Sequence, residues 1–399
     1  MSVANFSRRI AYASTLVALA LLAFSLVAAP VAHAQLNLVY VEISNSAGRG
    51  NGIIGFSNDG AGHLTKLAHT PYLTNGTGPT GIFSDIQFDS DGEIIANSAG
   101  TLMFAVNGHS NNISVFKINP DGTMRPIPGS PFASGGQDPV SVALKENVLP
   151  NNVSVLTVVN KASDPGQTGG IPGYATFDVT STGTMTLNAG SIFNLPVGTS
   201  PAQVMPRPGK LVQFFADEFM NSKVVTYQAN SSGVLTEISE AISPSVTLGS
   251  VVVPGTKKAV YSGLPMLSEV GVTTYDTLGN LTFLKTVANQ GTLICWMNMN
   301  ASGNRLYTSE TGSGTVTVYD TTAPATPTQL QHFSLAAGSL PAHLKLDPTG
   351  QFLYVLDRLG SIHVLNVSAV DGTLTETITP VKIGLPLGAI AQGMVTMMK

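Results

Sequence analysis

The amino-acid sequence predicts an all-β fold, a seven-bladed β-propeller of four-stranded antiparallel blades whose C-terminal strand completes the first blade. Three observations carry that expectation. Short apolar or alternating runs, separated by Gly, Asp-Gly and Pro turns, follow one another from Leu36 onward without helical periodicity. Two kinds of glycine turn return at a steady interval. The two ends of the chain read as complementary parts of one repeat.

Taken in order, residues 1–34 read as a signal peptide that is removed. Arg8 and Arg9 form a basic start, an apolar run extends from Ala11 to Ala29, and Ala32-His33-Ala34 offers a small-residue cleavage site before Gln35. Ser14, Thr15, Ser25 and Pro30 break the run and no stop-transfer charges follow, which argues against a membrane anchor. The remainder, 35–399, is expected to be a single domain in the periplasm or outside the cell. The export route stays open, since Arg8-Arg9 also admits the twin-arginine pathway.

The repeat shows first in glycines that precede an apolar strand. Gly209 before KLVQFFAD, Gly255 before TKKAVYSG, Gly303 before NRLYTSE and Gly350 before QFLYVLD are spaced by 46, 48 and 47 residues. A second turn, Gly-x-Leu/Met, occurs at Gly62, Gly122, Gly183, Gly233, Gly279 and Gly372, with a degenerate seventh copy in 323–330 where prolines replace the glycine. A period of roughly 40 to 60 residues carrying four short strands is that of a propeller blade. The segment from Pro341 to Thr375 shows it most clearly, with AHLKL, FLYVLD, SIHVLNV and TLTETI divided by DPTG, RLG and AVDG. Blades two and three carry extra residues around 89–99 and 161–173, the latter a Gly/Pro-rich loop. At the ends, LNLVYVEI matches the second strand of a blade and AIAQGMVTM matches the first, so the tail is expected beside the head.

Composition excludes several partners. The formal charge of −4 becomes −6 without Arg8 and Arg9, and no basic stripe is present, so neither nucleic acid nor an anionic membrane is expected. Cys295 is the single cysteine, hence no disulfide framework, and in the apolar run LICWM it reads as a small buried hydrophobe. The seven histidines are scattered and no His/Cys set has ligand spacing, so neither a zinc site nor a cofactor is expected and no metal ligand is assigned, while the acids at the second-strand ends leave a calcium ion open as an alternative. Asp89-Ser90-Asp91-Gly92-Glu93 resembles a calcium loop in part but lacks its twelve-residue spacing, and reads as a solvated turn.

MRPIPGSPFASGGQDPVSV, 124–142, the GSPF turn with its weaker copy HTPY at 69–72, and FLYVLDRLGSIHVLNV resemble the lactonase-like seven-bladed propellers, a group that includes 6-phosphogluconolactonases and YVTN-repeat proteins. The resemblance covers the chain after residue 34 and implies a lactone hydrolase. Enzymes of the group tend to carry Pro-Arg-His at an innermost strand. Here Pro341-Ala342-His343 keeps the histidine without the arginine, and Pro201-Ala202-Gln203 keeps neither.

In a propeller, loops entering the innermost strands and loops leaving the second strands share one face around the axis. The repeat places Asp85, Ser141, Gln203, Trp296, His343 and Gln392 at the former positions, and Asn107, Asn160, Asp217, Glu310 and Asp357 at the latter. The expected substrate-binding set is Asp85, Asn107, Asn160, Gln203, Asp217, Trp296 and Gln392. The expected catalytic set is His343 as general base, Asp357 or Glu310 to orient it, and Arg358 to steady an oxyanion. The competing reading makes His343 a bridge between blades and the acids ordinary turn residues. Trp296 reads either as a sugar-stacking ring or as a buried aromatic. Two functions follow, hydrolysis of a neutral sugar lactone or related ester by a monomer, and non-catalytic binding of an extracytoplasmic protein or glycan.

Overall fold

The computed structural model describes residues 35–46, 50–79 and 90–399. The proposed signal peptide, Asp85 and Asp89 lie outside them. Leu36–Lys399 forms one unit. Among the described residues the strands make seven antiparallel sheets, and the helical turns are two three-residue 3-10 segments, Pro150–Asn152 and Phe219–Asn221. No described helix is long and apolar enough to cross a membrane.

We number the blades from the N-terminus. Blade 1 contains Asn37–Ser44, and its innermost strand is Ile390–Met398, which pairs with it from Asn37↔Met398 to Ser44↔Ile390 with one register shift, between Glu42 and Ile43. The backbones of Leu36 and Lys399 extend the ladder, each donating its N–H to the other's carbonyl. The complementary ends read from the sequence therefore close the ring, and closure removes the open edges of the first and last sheets. The innermost strands of blades 2 to 7 are Ile94–Ala96, Pro139–Leu149, Pro201–Pro206, Leu248–Val252, Ile294–Met299 and Pro341–Leu346.

The repeat glycines mark left-handed turn residues. Gly100, Gly209, Gly255, Gly303 and Gly350 before second strands, and Gly62, Gly122, Gly183, Gly233, Gly279 and Gly372 before fourth strands, all have positive φ. A residue without Cβ adopts that conformation at little cost, which is why the period is visible as glycine. Both HTPY and GSPF carry a cis X-Pro bond, at Thr70-Pro71 and Ser130-Pro131. Where prolines replace the glycine turn in blade 6, the fourth strand still forms as Thr328–Ser334.

The core lies between blades. Tyr307, Val316 and Val318 of blade 6 pack on Leu344, Leu353 and Val355 of blade 7, and Val39, Val41 and Phe56 of blade 1 pack on Tyr354, Leu356 and Val364 of blade 7. Buried tyrosines place their hydroxyls on turn carbonyls of the adjacent blade, as Tyr40 Oη does to Gly122 O at 2.6 Å and Tyr307 Oη to Gly372 O at 3.0 Å. Apolar burial and blade register are thus fixed by the same side chains. Cys295 is buried, as expected, and its thiol faces Leu293 O.

Candidate functional site

The innermost strands carry a repeated irregularity that sets what reaches the axis. In blades 3 to 7 the register against the second strand skips Val140, Ala202, Gly249, Cys295 and Ala342, and the next residue, Ser141, Gln203, Ser250, Trp296 or His343, resumes the pairing. Such a bulge re-aims the following side chain. The Pro-x-Ser/Gln/His pattern at 139–141, 201–203 and 341–343 is its sequence mark, because proline is tolerated at a strand's first residue or beside a bulge. In blade 1 the skipped residue is Gln392, and Gly393 pairs with Glu42.

Blade 2 departs from the sequence reading. Its innermost strand starts at Ile94, later than Asp85 implied, and Glu93 O accepts from Val106 N to take the inner position. The preceding segment is buried, so the solvated turn expected at Asp89–Glu93 is corrected for Ser90–Glu93. Ser90 O accepts from Trp296 Nε1 of blade 6 at 2.7 Å, Asp91 O accepts from Ser141 Oγ of blade 3 at 2.6 Å, and Asp91 Oδ1 meets His343 Nε2 of blade 7 at 2.9 Å. One tetrapeptide thus touches blades 3, 6 and 7.

Around it sits a cluster of ionisable groups. His343 Nε2 is also 4.0 Å from Glu93 Oε2, and Lys345 Nζ is 4.0 Å from Asp91 Oδ1. Glu42, Asp91, Glu93 and His343 are 0, 2, 1 and 1 % exposed. Burial, reinforced by Asp91, pushes the Glu93 carboxyl well above the usual range, and burial plus Glu93 does the same to Glu42. Burial acts against ionised Asp91 too, but Lys345 and His343 outweigh it and hold its carboxyl low. Burial pushes the His343 imidazole down, so the ring is neutral near pH 7. The ligand atoms of Asp91, Glu93 and His343 lie within 4.8 Å of one another, a set that linear spacing did not reveal.

The carboxylate facing His343 is therefore Asp91; the orienting role expected of Asp357 or Glu310 is corrected. These acids, with Asn107 and Asn160, are held by groups of their own blade and of the segment arriving from the preceding one. Glu310 accepts from Asn289 Nδ2 and Thr315 Oγ1, Asn107 donates to Asn112 Oδ1 and Ser114 Oγ, and Asn160 donates to Ser134 O. Asp357 accepts from Leu359 N and lies 3.8 Å from His363 Nε2. The physical reason is strand parity, since a residue one step away points to the opposite side. In blade 4 the residue opposite Pro201 is Glu218, and Asp217 is one step earlier, opposite Gln203. Asp217 is therefore the member of that set whose side chain faces the innermost-strand ring, where it accepts from Ser250 Oγ at 2.6 Å; burial pushes it up to about 7. Gln203 ties blades 4 and 5 through Ser250 N and O.

His363, unmarked in the sequence reading, makes the clearest charged pair. Burial opposes its protonation, but Asp357 and Glu376, the latter 2.8 Å from Nδ1, outweigh it and raise the imidazole to about 9. A raised histidine stabilises the fold fully below its unfolded value near 6.5 and loses that contribution as pH climbs through about 9. Melting curves of the wild type and His363→Gln are expected to differ most at pH 6 and to converge above pH 9.5; a gap that stays constant over that range contradicts the assignment.

Of the expected site residues, Arg358, Trp296 and Gln392 meet at the mouth. With Ala342, Ile390 and Ala391 they line a tight crevice that, as the side chains stand, is too narrow to hold a water molecule. The Arg358 guanidinium lies 5.2 Å from the centre of the Trp296 ring, and Trp296 itself is buried, so it forms a floor under the cation. Another cleft, of about 650 Å³, lies between blades 6 and 7 on the opposite face, among turn residues such as Asn300, Asn304 and Asp371. It contains no histidine, and we assign it no chemistry.

Comparison with known proteins agrees with this architecture. No curated protein matches the sequence significantly. Among solved structures, the periplasmic gluconolactonase PpgL of Pseudomonas aeruginosa is 16% identical with a TM-score of 0.69, over 91% of this chain and 99% of that one. A protein of Bacteroides fragilis described as a candidate 6-phosphogluconolactonase is 15% identical, TM-score 0.68, over 92% and 100%. A Lactobacillus plantarum protein is 17% identical, TM-score 0.69, over 91% and 99%. At such identities the likeness concerns the fold. Residues 223–389 match the family described as Lactonase, 7-bladed beta-propeller, and the chain is a seven-bladed β-propeller.

Proposed function

We propose that the chain hydrolyses a neutral sugar lactone, or a related cyclic ester, at the mouth over Trp296, Arg358 and Gln392. The observation that carries this reading is the Arg358 guanidinium, 5.2 Å from the centre of the Trp296 ring, in a narrow crevice of a lactonase-like propeller that has to widen for a ring to enter. Its donors are planar and permanently charged. Aimed at a lactone carbonyl, they stabilise the oxyanion that forms when water attacks. Water adds across the acyl C–O bond, the carbonyl carbon gaining the hydroxyl and the ring oxygen leaving with a proton, to give the open hydroxy acid. The Gln392 amide, partly exposed, is placed to hydrogen-bond sugar hydroxyls. Among the described residues lining the crevice Arg358 is the single charged one, which favours a neutral ring over a phosphorylated one.

His343 enters this reading as a support, because its imidazole is enclosed beneath Ser90–Glu93 and engaged with Asp91. Export of the mature chain, residues 35–399, belongs to the same proposal and is supported by the character of residues 1–34. A pH-stat assay of purified protein against a panel of neutral and phosphorylated lactones tests it. Saturable hydrolysis above the spontaneous rate, with neutral lactones preferred, is expected; rates equal to buffer across the panel would overturn it.

One observation favours a second reading, a non-catalytic platform. Val197, Met220, Met266, Leu359 and Leu387 are exposed on loops that enter innermost strands or leave second strands, and so form an apolar fringe on the mouth face. An inactive protein that recovers one envelope protein, and loses it when Val197 and Leu387 are changed to serine, would decide for this reading.

A further inference from the structure

The buried cluster under the mouth is assembled from the three blades that meet where the ring closes. Glu42 comes from blade 1, Asp91 and Glu93 from the entry to blade 2, and His343 from blade 7. We propose that Asp91, Glu93 and His343, whose ligand atoms already lie within 4.8 Å of one another, hold one divalent transition-metal ion of the Zn²⁺ or Mn²⁺ kind, with Glu42 turning in as the fourth donor, as a closed structural centre that fastens the ring at its seam. This goes beyond the lactone reading and does not depend on it.

The spacing fits. Two ligands each about 2.1 Å from one ion stand about 3.0 to 4.2 Å apart, depending on the angle between them. Asp91 Oδ1 and Glu93 Oε2 are 2.9 and 4.0 Å from His343 Nε2. The donors are also under-used. Both carboxylate oxygens of Glu42 and Oε2 of Glu93 are fully enclosed without a hydrogen-bond partner among the described residues. Leaving buried carboxylate oxygens unpaired is costly, and coordination is one of the few ways to satisfy them.

Glu42 is aimed at the cluster by register. It pairs with Gly393, and a Cβ built on Gly393 would lie 3.2 Å from Glu93 Oε2. Cross-strand partners project from the same face, so the Glu42 side chain leaves its strand toward Glu93, into space that a larger residue at 393 would take. One imidazole with carboxylate oxygens suits a borderline transition ion, whereas calcium takes oxygen ligands alone. Because every donor is enclosed, the site has no open position for a substrate, which marks it as structural.

The test is metal content and melting temperature of residues 35–399, read without any activity assay. Protein stripped with a chelator is titrated with ZnCl₂ and, separately, MnCl₂. The proposal expects one equivalent bound per chain, a melting temperature raised by several degrees, and for Mn²⁺ a bound-ion spectrum in electron paramagnetic resonance. Glu42→Gln and Glu93→Gln, which preserve shape, are expected to lose the shift and to weaken binding at least tenfold, while Glu310→Gln in blade 6 retains both. No bound ion and no shift would overturn the proposal. So would a shift that survives in both cluster variants, or a response to CaCl₂ alone. Should a cluster variant fail to fold, the spectrum and stoichiometry of the wild type still decide.

Discussion

A chain that ends at Gly388 is expected not to fold. That truncation removes Ile390–Met398, the innermost strand of blade 1, together with the pairs that join it to Asn37–Ser44. Ile390, Ala391, Met394 and Met397 are all buried, Met394 completely. At roughly 1.5 to 3 kcal/mol for each large buried side chain, their loss alone costs on the order of 5 kcal/mol, comparable with a domain's whole stability of about 5–15 kcal/mol. The deletion also opens the ring, leaving Asn37–Ser44 as an unprotected edge next to the axis, where strands of other chains can add. Far-UV circular dichroism and size-exclusion chromatography check this. Aggregated or unfolded protein is expected; a monomer melting within a few degrees of the intact chain would show that the tail does not close the ring.

Gly249→Ala is expected to be the most damaging small substitution in an innermost strand. Gly249 is the skipped residue of the blade 5 bulge, at φ +60°, and an added Cβ would stand 1.7 Å from Cys295 O and 2.7 Å from Cys295 C. Those are backbone atoms of the next blade, so rotating a side chain relieves nothing. Left-handed strain combined with overpacking is expected to cost about 3–5 kcal/mol. Gly338→Ala supplies the comparison, since φ is +84° there but nothing lies within 4 Å, leaving a strain of about 1 kcal/mol. Thermal melts of both variants check it, with Gly249→Ala falling well below Gly338→Ala. Equal melting temperatures would mean that blades 5 and 6 do not approach as described.

These sites show why the architecture was readable in the sequence while the site was readable only in part. Glycines at left-handed turns and apolar strands of period two depend on local backbone geometry, so Gly209 to Gly350 and the two complementary termini declare blade count and closure. The direction of a polar side chain at a strand end depends on one-residue register. A single step separates Asp217, facing the innermost-strand ring, from Glu218, and the sequence offers no mark of that step. Asp91 and Glu93 were hidden for another reason. Their segment DSDGE has the composition of a solvated turn, and it is buried because Trp296, Ser141 and His343, from three other blades, converge on it. Such convergence is a tertiary fact without a linear signature. Arg358 and Gln392 could be placed near one another from the sequence because they sit beside the most regular repeat elements.

The central claim divides labour between the mouth, where Arg358 faces substrate, and the buried cluster, where His343 ties blade 7 to blade 2. Measuring kcat/KM for the preferred lactone together with the melting temperature, for Arg358→Ala and His343→Gln in parallel, tests it most directly. The account predicts that Arg358→Ala loses about 10²–10³ in kcat/KM, the usual cost of removing an oxyanion donor, at nearly unchanged melting temperature. For His343→Gln it predicts a lowered melting temperature with kcat/KM, assayed well below that temperature, within about threefold of the wild type. A His343→Gln protein as stable as the wild type but without activity would contradict it.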